Sequence, residues 1–294
     1  MRSQPAKLKG IMAHFAYAGR RFNAWWEGFD FDETAERANI AARYNRDDHL
    51  SDAATAPEYA VSEAIWGEGR LEPGNPAWTL NLARTLALPT RADVMVLGAG
   101  AGAPLRDLRN GSKWKVSGLT RAELKLRDGR LRSYEQALQR LNAASADGLI
   151  SFFELHRDPD PAAFARFAGE LMVDGAKAAF VDFTVARKGA RLRSCFSPPL
   201  SGSPRMMGDY ERALRAAGFS VSEAADETAA FLPLIARGWA RWKRVYDMIR
   251  EAADTRRRVE LIRMLNILAY QWAERFDALR SGQLQVTRFQ ATRR

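Results

Sequence analysis

Three glycines at every second position are the residues of this sequence best suited to hold a ligand. Gly98, Gly100 and Gly102 follow four apolar residues in VMVLGAGAGAPLRDL, residues 94–108, and precede a segment with helical periodicity. Glycine lets the backbone turn sharply and lets a ligand approach closely, and the helix that follows presents free N–H groups. The stretch therefore predicts a site for a dinucleotide, a site for S-adenosylmethionine, or a turn without a ligand.

The dinucleotide interpretation needs more than the glycines. The spacing fits the G-x-G-x-x-G/A fingerprint with Ala103 in the last position. A dinucleotide site also needs an acidic residue at the end of the second strand, where it binds the ribose hydroxyls. The predicted second strand ends at Leu119 and Thr120, and the first acid after it is Glu123. The fingerprint alone is therefore weak evidence for a dinucleotide.

The elements that must position the turn alternate between strands and helices. Short apolar segments predict strands at 93–98, 115–119, 130–134, 148–153, 177–183 and 219–224. Segments of helical periodicity fill the intervals, and this alternation favours parallel pairing in a three-layer α/β fold. After the last of these strands, the periodicity predicts a helical insertion at about 228–280, and LQVTRFQATRR alternates like a half-buried edge strand.

Composition limits the class of protein. The 294 residues are 47% hydrophobic, and no apolar run approaches the roughly 20 residues that span a bilayer. The single cysteine, Cys195, forms no disulfide within the chain and is expected to be a buried side chain, while the three scattered histidines offer no metal-ligand spacing. We therefore expect a soluble cytoplasmic protein with no metal site.

The positive charge is concentrated in one part of the chain. The net charge is +10, and residues 187–294 carry 21 Lys and Arg against 11 Asp and Glu, which is the whole surplus. This basic C-terminal region suits an anionic small molecule, an acidic protein partner or peripheral contact with a membrane, and a solvated basic face is an equal alternative. No nucleic-acid-binding motif is recognisable. We expect a basic arm and helical region at 1–60 and one further domain at 61–294.

Segments around the glycine turn carry a family resemblance. WGEGRLEPGN, residues 66–75, resembles the W-G-x-G-x-x-x-P-G-G-like stretch of class I S-adenosylmethionine-dependent methyltransferases. Residues 146–183 and 209–228 are similar to that family's fourth and fifth strands and to its A-G-F turn and sixth strand. The resemblance is strongest to small-molecule N-methyltransferases of the sarcosine and phosphoethanolamine type.

The resemblance implies a fold, a cofactor and a set of contacts. It implies a Rossmann-like sheet of seven mostly parallel strands with an antiparallel last strand, a helical N-terminal cap and a helical insertion before the last strand. It also implies S-adenosyl-L-methionine as the cofactor and a small molecule as the methyl acceptor. The residues that it assigns to the cofactor are Trp66, Gly67, Gly98, Ala99, Gly100, Gly102, Thr120, Tyr134, Glu135 and Phe153.

Two acids common in that family are missing here. Val96 stands where the first strand often carries an Asp or Glu, and Thr120 stands where the second strand often ends in an acid. A hydrogen bond to a charged group contributes about 1.5–3 kcal/mol, so both losses weaken cofactor binding unless other contacts replace them. A binding or regulatory protein with weak or no cofactor binding is therefore the alternative function.

Two residues are candidates for the chemistry. Methyl transfer from a sulfonium is an in-line displacement of a good leaving group, so alignment and exclusion of water supply much of the acceleration. An amine acceptor needs only to arrive deprotonated, whereas a hydroxyl or carbon acid needs a base. Glu154 and His156, at the tip of the predicted fourth strand, are the candidates for a base or an acceptor-orienting pair. A structural histidine is the alternative for His156.

Overall fold

One sheet organises the part of the chain that the structure describes. The structure is a computed structural model that describes residues 17–18, 20–22, 24–26, 28, 32–33, 57–121, 131–134, 145–198, 202–251 and 255–294. The strands of these residues are β1 Asp93–Leu97, β2 Lys115–Thr120, β3 Leu131–Ser133, β4 Ala146–Phe152, β5 Met172–Val185, β6 Arg205–Met206, β7 Phe219–Asp226 and β8 Leu284–Arg293. Their order is β3-β2-β1-β4-β5-β8-β7, and the short β6 pairs with β5 outside this path.

Helices cover both faces of the sheet. They are α1 Pro57–Trp66, α2 Pro76–Arg84, α3 Ala103–Gly111, α4 Pro161–Glu170, α5 Met207–Ala216, α6 Thr228–Trp239, α7 Trp242–Arg250 and α8 Thr255–Arg280, with a short 3-10 helix at Leu155–Arg157. None of the helices in the described ranges is long and apolar enough to cross a membrane. The helical insertion and α2 agree with the prediction, whereas α1 begins within residues 43–60, which the sequence predicts as a polar connection. Predicted helices at 121–127 and 135–143 lie outside the described residues except for Arg121.

Strand β1 shows why the apolar run folds as it does. β1 pairs in parallel with β2 and with β4, and its residues Val94 to Leu97 are buried on both faces of the sheet. Val94 and Val96 join the core formed with α1 to α3 and α6 to α8, whereas Met95 and Leu97 join the core formed with α4 and α5. Side chains of a strand alternate between its two faces, so one strand serves both cores. The predicted three-layer, mostly parallel α/β fold is confirmed.

The last strand corrects one prediction. The alternation in residues 284–294 predicted a half-buried edge strand, but β8 lies between β5 and β7 and is antiparallel to both. Its polar side chains find partners on neighbouring elements instead of water. Arg288 donates to Glu227 at 2.8 Å and to Glu223 at 2.9 Å, and the hydroxyls of Thr287 and Thr184 lie 2.6 Å apart. An interior strand whose polar side chains have protein partners therefore shows the same sequence pattern as an edge strand.

The single cysteine is buried, as predicted. Cys195 is 1% exposed, and burial raises the pKa of its thiol to about 12, with nearby Arg275 lowering it in part. The thiolate is the reactive form, so we expect the native protein to resist iodoacetamide at mildly alkaline pH. Mass spectrometry after timed alkylation measures this, with protein unfolded in guanidinium chloride as the reactive control. Alkylation of the native protein at the rate of the unfolded control would show that Cys195 is not buried.

Candidate functional site

A cleft opens at the carboxyl ends of the central parallel strands. Its walls are the glycine turn after β1, residues Thr120 and Arg121 at the end of β2, and residues 152–154 at the end of β4. Helix α2 and residues 69–73 close the other side, and the space including the mouth is about 670 Å³. Ligands of open α/β sheets bind at this end of the strands.

The glycine turn has a backbone that other residues rarely adopt. Gly98, Gly100 and Gly102 have φ values of +70°, +56° and +103°. At Gly98 a Cβ would also lie 2.2 Å from the carbonyl oxygen of Phe152, so β1 and the end of β4 approach too closely for a side chain. The turn therefore needs glycine for its conformation and, at Gly98, for space.

Residues 67–74, here named the covering segment, lie directly on this turn. The carbonyl of Gly69 accepts hydrogen bonds from the N–H groups of Ala101 and Ala103, both at 3.1 Å. Arg70 forms a buried ion pair with Asp107 of α3. The sequence predicted free N–H groups at the start of this helix, but the N–H of Ala103 is bonded to the protein. A dinucleotide pyrophosphate would need such groups, so this bonding disfavours that alternative.

Two carboxylates line the cleft, of which that of Glu154 is buried and that of Glu72 is partly exposed. Glu154 lies beside the glycine turn, and its Oε1 is 3.1 Å from the position that a Cβ on Gly98 would take. Arg121 donates from Nε to Oε2 of Glu154 at 2.5 Å. Burial raises the pKa of Glu154, while Arg157 and Arg121 oppose this rise. Glu72 pairs with Arg157, and its buried Oε2 accepts no hydrogen bond from the described residues.

Phe153 and Trp78 form an aromatic part of the cleft wall, here named the aromatic wall. Phe153 is buried and stacks on Trp78, with ring centroids 6.3 Å apart and planes 13° apart. Its ring also lies 4.8 Å from Phe183 and 5.3 Å from Phe231. The φ of Phe153 is +56°, a strained conformation for a bulky residue that costs about 1–3 kcal/mol. Such strain at the end of a strand is typical of functional sites.

The predicted cofactor residues occupy different places around the cleft. Gly98, Gly100, Thr120 and Phe153 line it. Gly67 begins the covering segment, Gly102 precedes α3, and the N–H of Ala99 donates to the carbonyl of Leu119.

Three further predicted residues lie away from the cleft lining or outside the described chain. Trp66 packs between Trp239 and Trp272 at centroid distances of 5.8 and 5.1 Å. Tyr134 lies beneath the guanidinium of Arg121, 5.3 Å from it. Glu135 lies outside the described residues.

The two candidate catalytic residues are placed differently. Glu154 lines the cleft, whereas His156 is not among the residues that line it. The Nδ1 of His156 lies 2.6 Å from Oδ1 of Asp182 at the end of β5, and both side chains are 1% exposed. Asp182 also accepts the N–H groups of Leu155 and His156 at 2.7 and 3.3 Å. These contacts attach the turn after β4 to β5. The carboxylate of Asp182 also fixes the orientation of the His156 ring.

Sequence reasoning missed four residues of the site. Arg121, Glu72, Arg157 and Asp182 have partners that are distant in the chain, so no local pattern marks them. The only signals were positional, since Glu72 lies within the resemblance segment 66–75 and Arg121 follows Thr120 directly. Within the described residues, no group of His, Cys, Asp and Glu could hold a metal ion.

Solved structures share this architecture. No family model and no curated protein matches the chain. Phosphoethanolamine N-methyltransferase 2 of Haemonchus contortus, in complex with S-adenosylhomocysteine, superimposes with a TM-score of 0.62 over 80% of this chain at 16% identity. The chain has the methyltransferase fold.

Two other solved structures with this fold match the chain over most of their own length. A protein of Galdieria sulphuraria assigned as a sarcosine dimethylglycine methyltransferase gives a TM-score of 0.60 at 13% identity, covering 81% of this chain and 98% of that one. The cyclase SpnF gives 0.58 at 14% identity, covering 80% and 93%. The chain spans just over half, 57%, of the Haemonchus enzyme. Because one such fold carries a cyclase, the reaction must be argued from the site.

Proposed function

We propose that this chain is an S-adenosylmethionine-dependent methyltransferase that acts on a small molecule. The observation that carries the proposal is the joint placement of the glycine turn and the carboxylates of Glu154 and Glu72 in one cleft at the carboxyl ends of β1, β2 and β4. The Haemonchus enzymes of the same fold are complexed with S-adenosylmethionine or S-adenosylhomocysteine. The fold and the charges of the cleft support the same cofactor here.

The residues of the cleft fit the chemistry of that cofactor. S-adenosylmethionine would supply a methyl group on a sulfonium, beside an ammonium group that is also cationic. Glu72 offers a buried carboxylate oxygen that accepts no hydrogen bond from the described residues, and Glu154 offers a second carboxylate. Each carboxylate already faces an arginine, Glu154 facing Arg121 and the Oε2 of Glu72 facing Arg275 at 4.0 Å, so a cationic ligand would replace or extend an existing ion pair. Thr120 remains the candidate for the ribose hydroxyls and Tyr134 for the adenine.

The aromatic wall is suited to the acceptor. Phe153 and Trp78 line the cleft and pack against Phe231, so this part of the cleft excludes water and has few groups that solvate charge. Alignment of the two reactants in such a site supplies a large part of the rate acceleration of a displacement reaction. Arg157 lines the same cleft and supports an acceptor with an anionic group. His156 remains the proposed base or acceptor-orienting residue, with its ring held by Asp182, while the carboxylate of Glu154 faces the glycine turn.

Ligand binding by the purified chain tests this proposal. We expect calorimetry to give micromolar Kd values for S-adenosylmethionine and S-adenosylhomocysteine and no binding of NAD. Tight cofactor binding followed by a screen of amines and phospholipid headgroups would then identify the acceptor. Loss of turnover in His156→Gln with an unchanged Kd for S-adenosylhomocysteine would support a base at that position. Absence of cofactor binding would favour the binding or regulatory alternative, and binding of NAD would favour a dinucleotide enzyme.

A further inference from the structure

We propose that Glu154 binds the cationic amino-acid end of S-adenosylmethionine in place of an acid at position 96, and that Arg121 holds Glu154 until the cofactor replaces it. This inference rests on the proposed function and names the residues that would hold its cofactor. It assigns Glu154 to the cofactor side of the cleft. It also makes Arg121 a positioning residue whose removal should ease binding.

Position 96 itself cannot supply the charge. Val96 is fully buried and belongs to the apolar core, together with Ala99, Leu105 and Ile150. The valine side chain offers a cation neither a charge nor a hydrogen-bond acceptor. A carboxylate for the ligand must therefore come from another strand end that faces the glycine turn.

Glu154 meets that requirement by its position. Its Cγ and Oε1 lie 3.0 and 3.1 Å from the place of a Cβ on Gly98, so the carboxylate occupies the space directly over the first glycine. The left-handed backbone of Phe153, with φ at +56°, turns the chain immediately before Glu154. This conformation is unfavourable for phenylalanine and is retained at the point where the carboxylate is directed toward the turn. The side chain of Glu154 is 3% exposed, so its charge needs a cationic partner.

Arg121 is the present partner and is able to leave. Its side chain is 38% exposed, in contrast to that of Glu154. It has a second carboxylate, Asp158, at 3.2 Å, and its guanidinium lies over the ring of Tyr134. Arg121 can therefore move away from Glu154 toward solvent and keep its ion pair with Asp158. An ammonium group that takes its place leaves the charge beside Glu154 unchanged.

Other charged groups also face Glu154 and set how it titrates. Arg157 and His156 favour the ionised carboxylate, burial opposes it, and the net result is a raised pKa. The ammonium ligand needs the ionised form. Affinity should therefore fall as pH falls through this raised pKa, and a glutamine at 154 should remove that dependence.

Calorimetry on the full chain with three ligands tests the inference. S-adenosylmethionine and S-adenosylhomocysteine carry the ammonium group, whereas 5′-methylthioadenosine lacks the amino-acid end. In Glu154→Gln we expect Kd to rise roughly 10- to 100-fold for the first two ligands and to stay unchanged for the third, which also shows that the variant is folded. In Arg121→Gln we expect tighter binding of S-adenosylhomocysteine, because no guanidinium competes. Asp247→Asn is the control, since its carboxylate pairs with Lys243 and does not line the cleft, and all three Kd values should stay unchanged.

The outcomes separate the two proposals. An equal loss for all three ligands in Glu154→Gln, or no loss for any, would overturn the role of Glu154 while leaving the proposed function in place. Weaker binding in Arg121→Gln would overturn the role of Arg121. If Glu154→Gln does not fold, Glu154→Asp gives the same comparison with a displaced carboxylate. If the unaltered chain binds none of the ligands, the proposed function fails, and this inference fails with it.

Discussion

Asp107→Asn is expected to lower the free energy of unfolding by about 3–5 kcal/mol. The carboxylate of Asp107 pairs with Arg70, and their side chains are 7% and 9% exposed. Removing the charge of Asp107 leaves a buried guanidinium without its counter-ion, which is more costly than the loss of a surface pair. Because Arg70 belongs to the covering segment and Asp107 to α3, the substitution should also weaken ligand binding at the glycine turn. Denaturation with urea, followed by circular dichroism, measures the change in stability.

Two further variants show whether the loss comes from the buried charge. Asp247→Asn removes the carboxylate of an exposed pair with Lys243 at 3.7 Å, and we expect a change of at most about 1 kcal/mol. Combining Arg70→Met with Asp107→Leu removes both buried charges and should restore most of the stability. A loss in Asp107→Asn no larger than that in Asp247→Asn would contradict the buried ion pair.

Gly98→Ala is expected to cost about 2–5 kcal/mol of unfolding free energy and to abolish binding in the cleft. A left-handed backbone costs an L-residue about 1–2 kcal/mol, and Gly98 has a φ of +70°. Crowding adds about 1–3 kcal/mol, because the new Cβ would meet the carbonyl oxygen of Phe152 at 2.2 Å. The end of β4 must then move, and Glu154 must move with it. Urea denaturation and calorimetry with S-adenosylhomocysteine measure the two effects.

Gly175→Ala is the matched control for this variant. Gly175 has a φ of +80°, but nothing lies within 4 Å of the place of its Cβ, and it is in β5 away from the cleft lining. We expect it to cost only the backbone strain, about 1–2 kcal/mol, and to leave binding unchanged. Equal losses of stability in the two variants would show that crowding at Gly98 is absent.

The fold was largely predictable because its central strands are buried on both faces. Such strands appear in sequence as continuous apolar runs, and β1, with the run Val94 to Leu97, is one of them. The place of β8 was not predictable, because neighbouring strands are chosen by pairing between distant parts of the chain. Arg288 illustrates the difficulty, since its charge is typical of an exposed position while its actual partners are Glu223 and Glu227.

The site was predictable only where local backbone geometry decides it. The glycine turn is such a case, because its spacing is contained in a few consecutive residues. The pairing of Arg121 with Glu154 depends on which strands end side by side, and the ion pair of Glu72 joins residues 85 positions apart. The residue type of His156 and its place at the tip of the fourth strand predict a role in the chemistry, but neither reveals that Asp182 holds its ring. Its part in the chemistry remains a prediction.

The position of β8 has a consequence for synthesis of the protein. Strand β5 ends at Val185 and its antiparallel neighbour begins only at Leu284, so residues 186–283 must leave the ribosome before the two can pair. At about 5–20 residues per second, the nascent chain carries an unpaired edge of β5 for roughly 5–20 s. An exposed strand edge readily pairs with other chains. This interval is therefore when the protein is most exposed to aggregation and when a chaperone would protect it most.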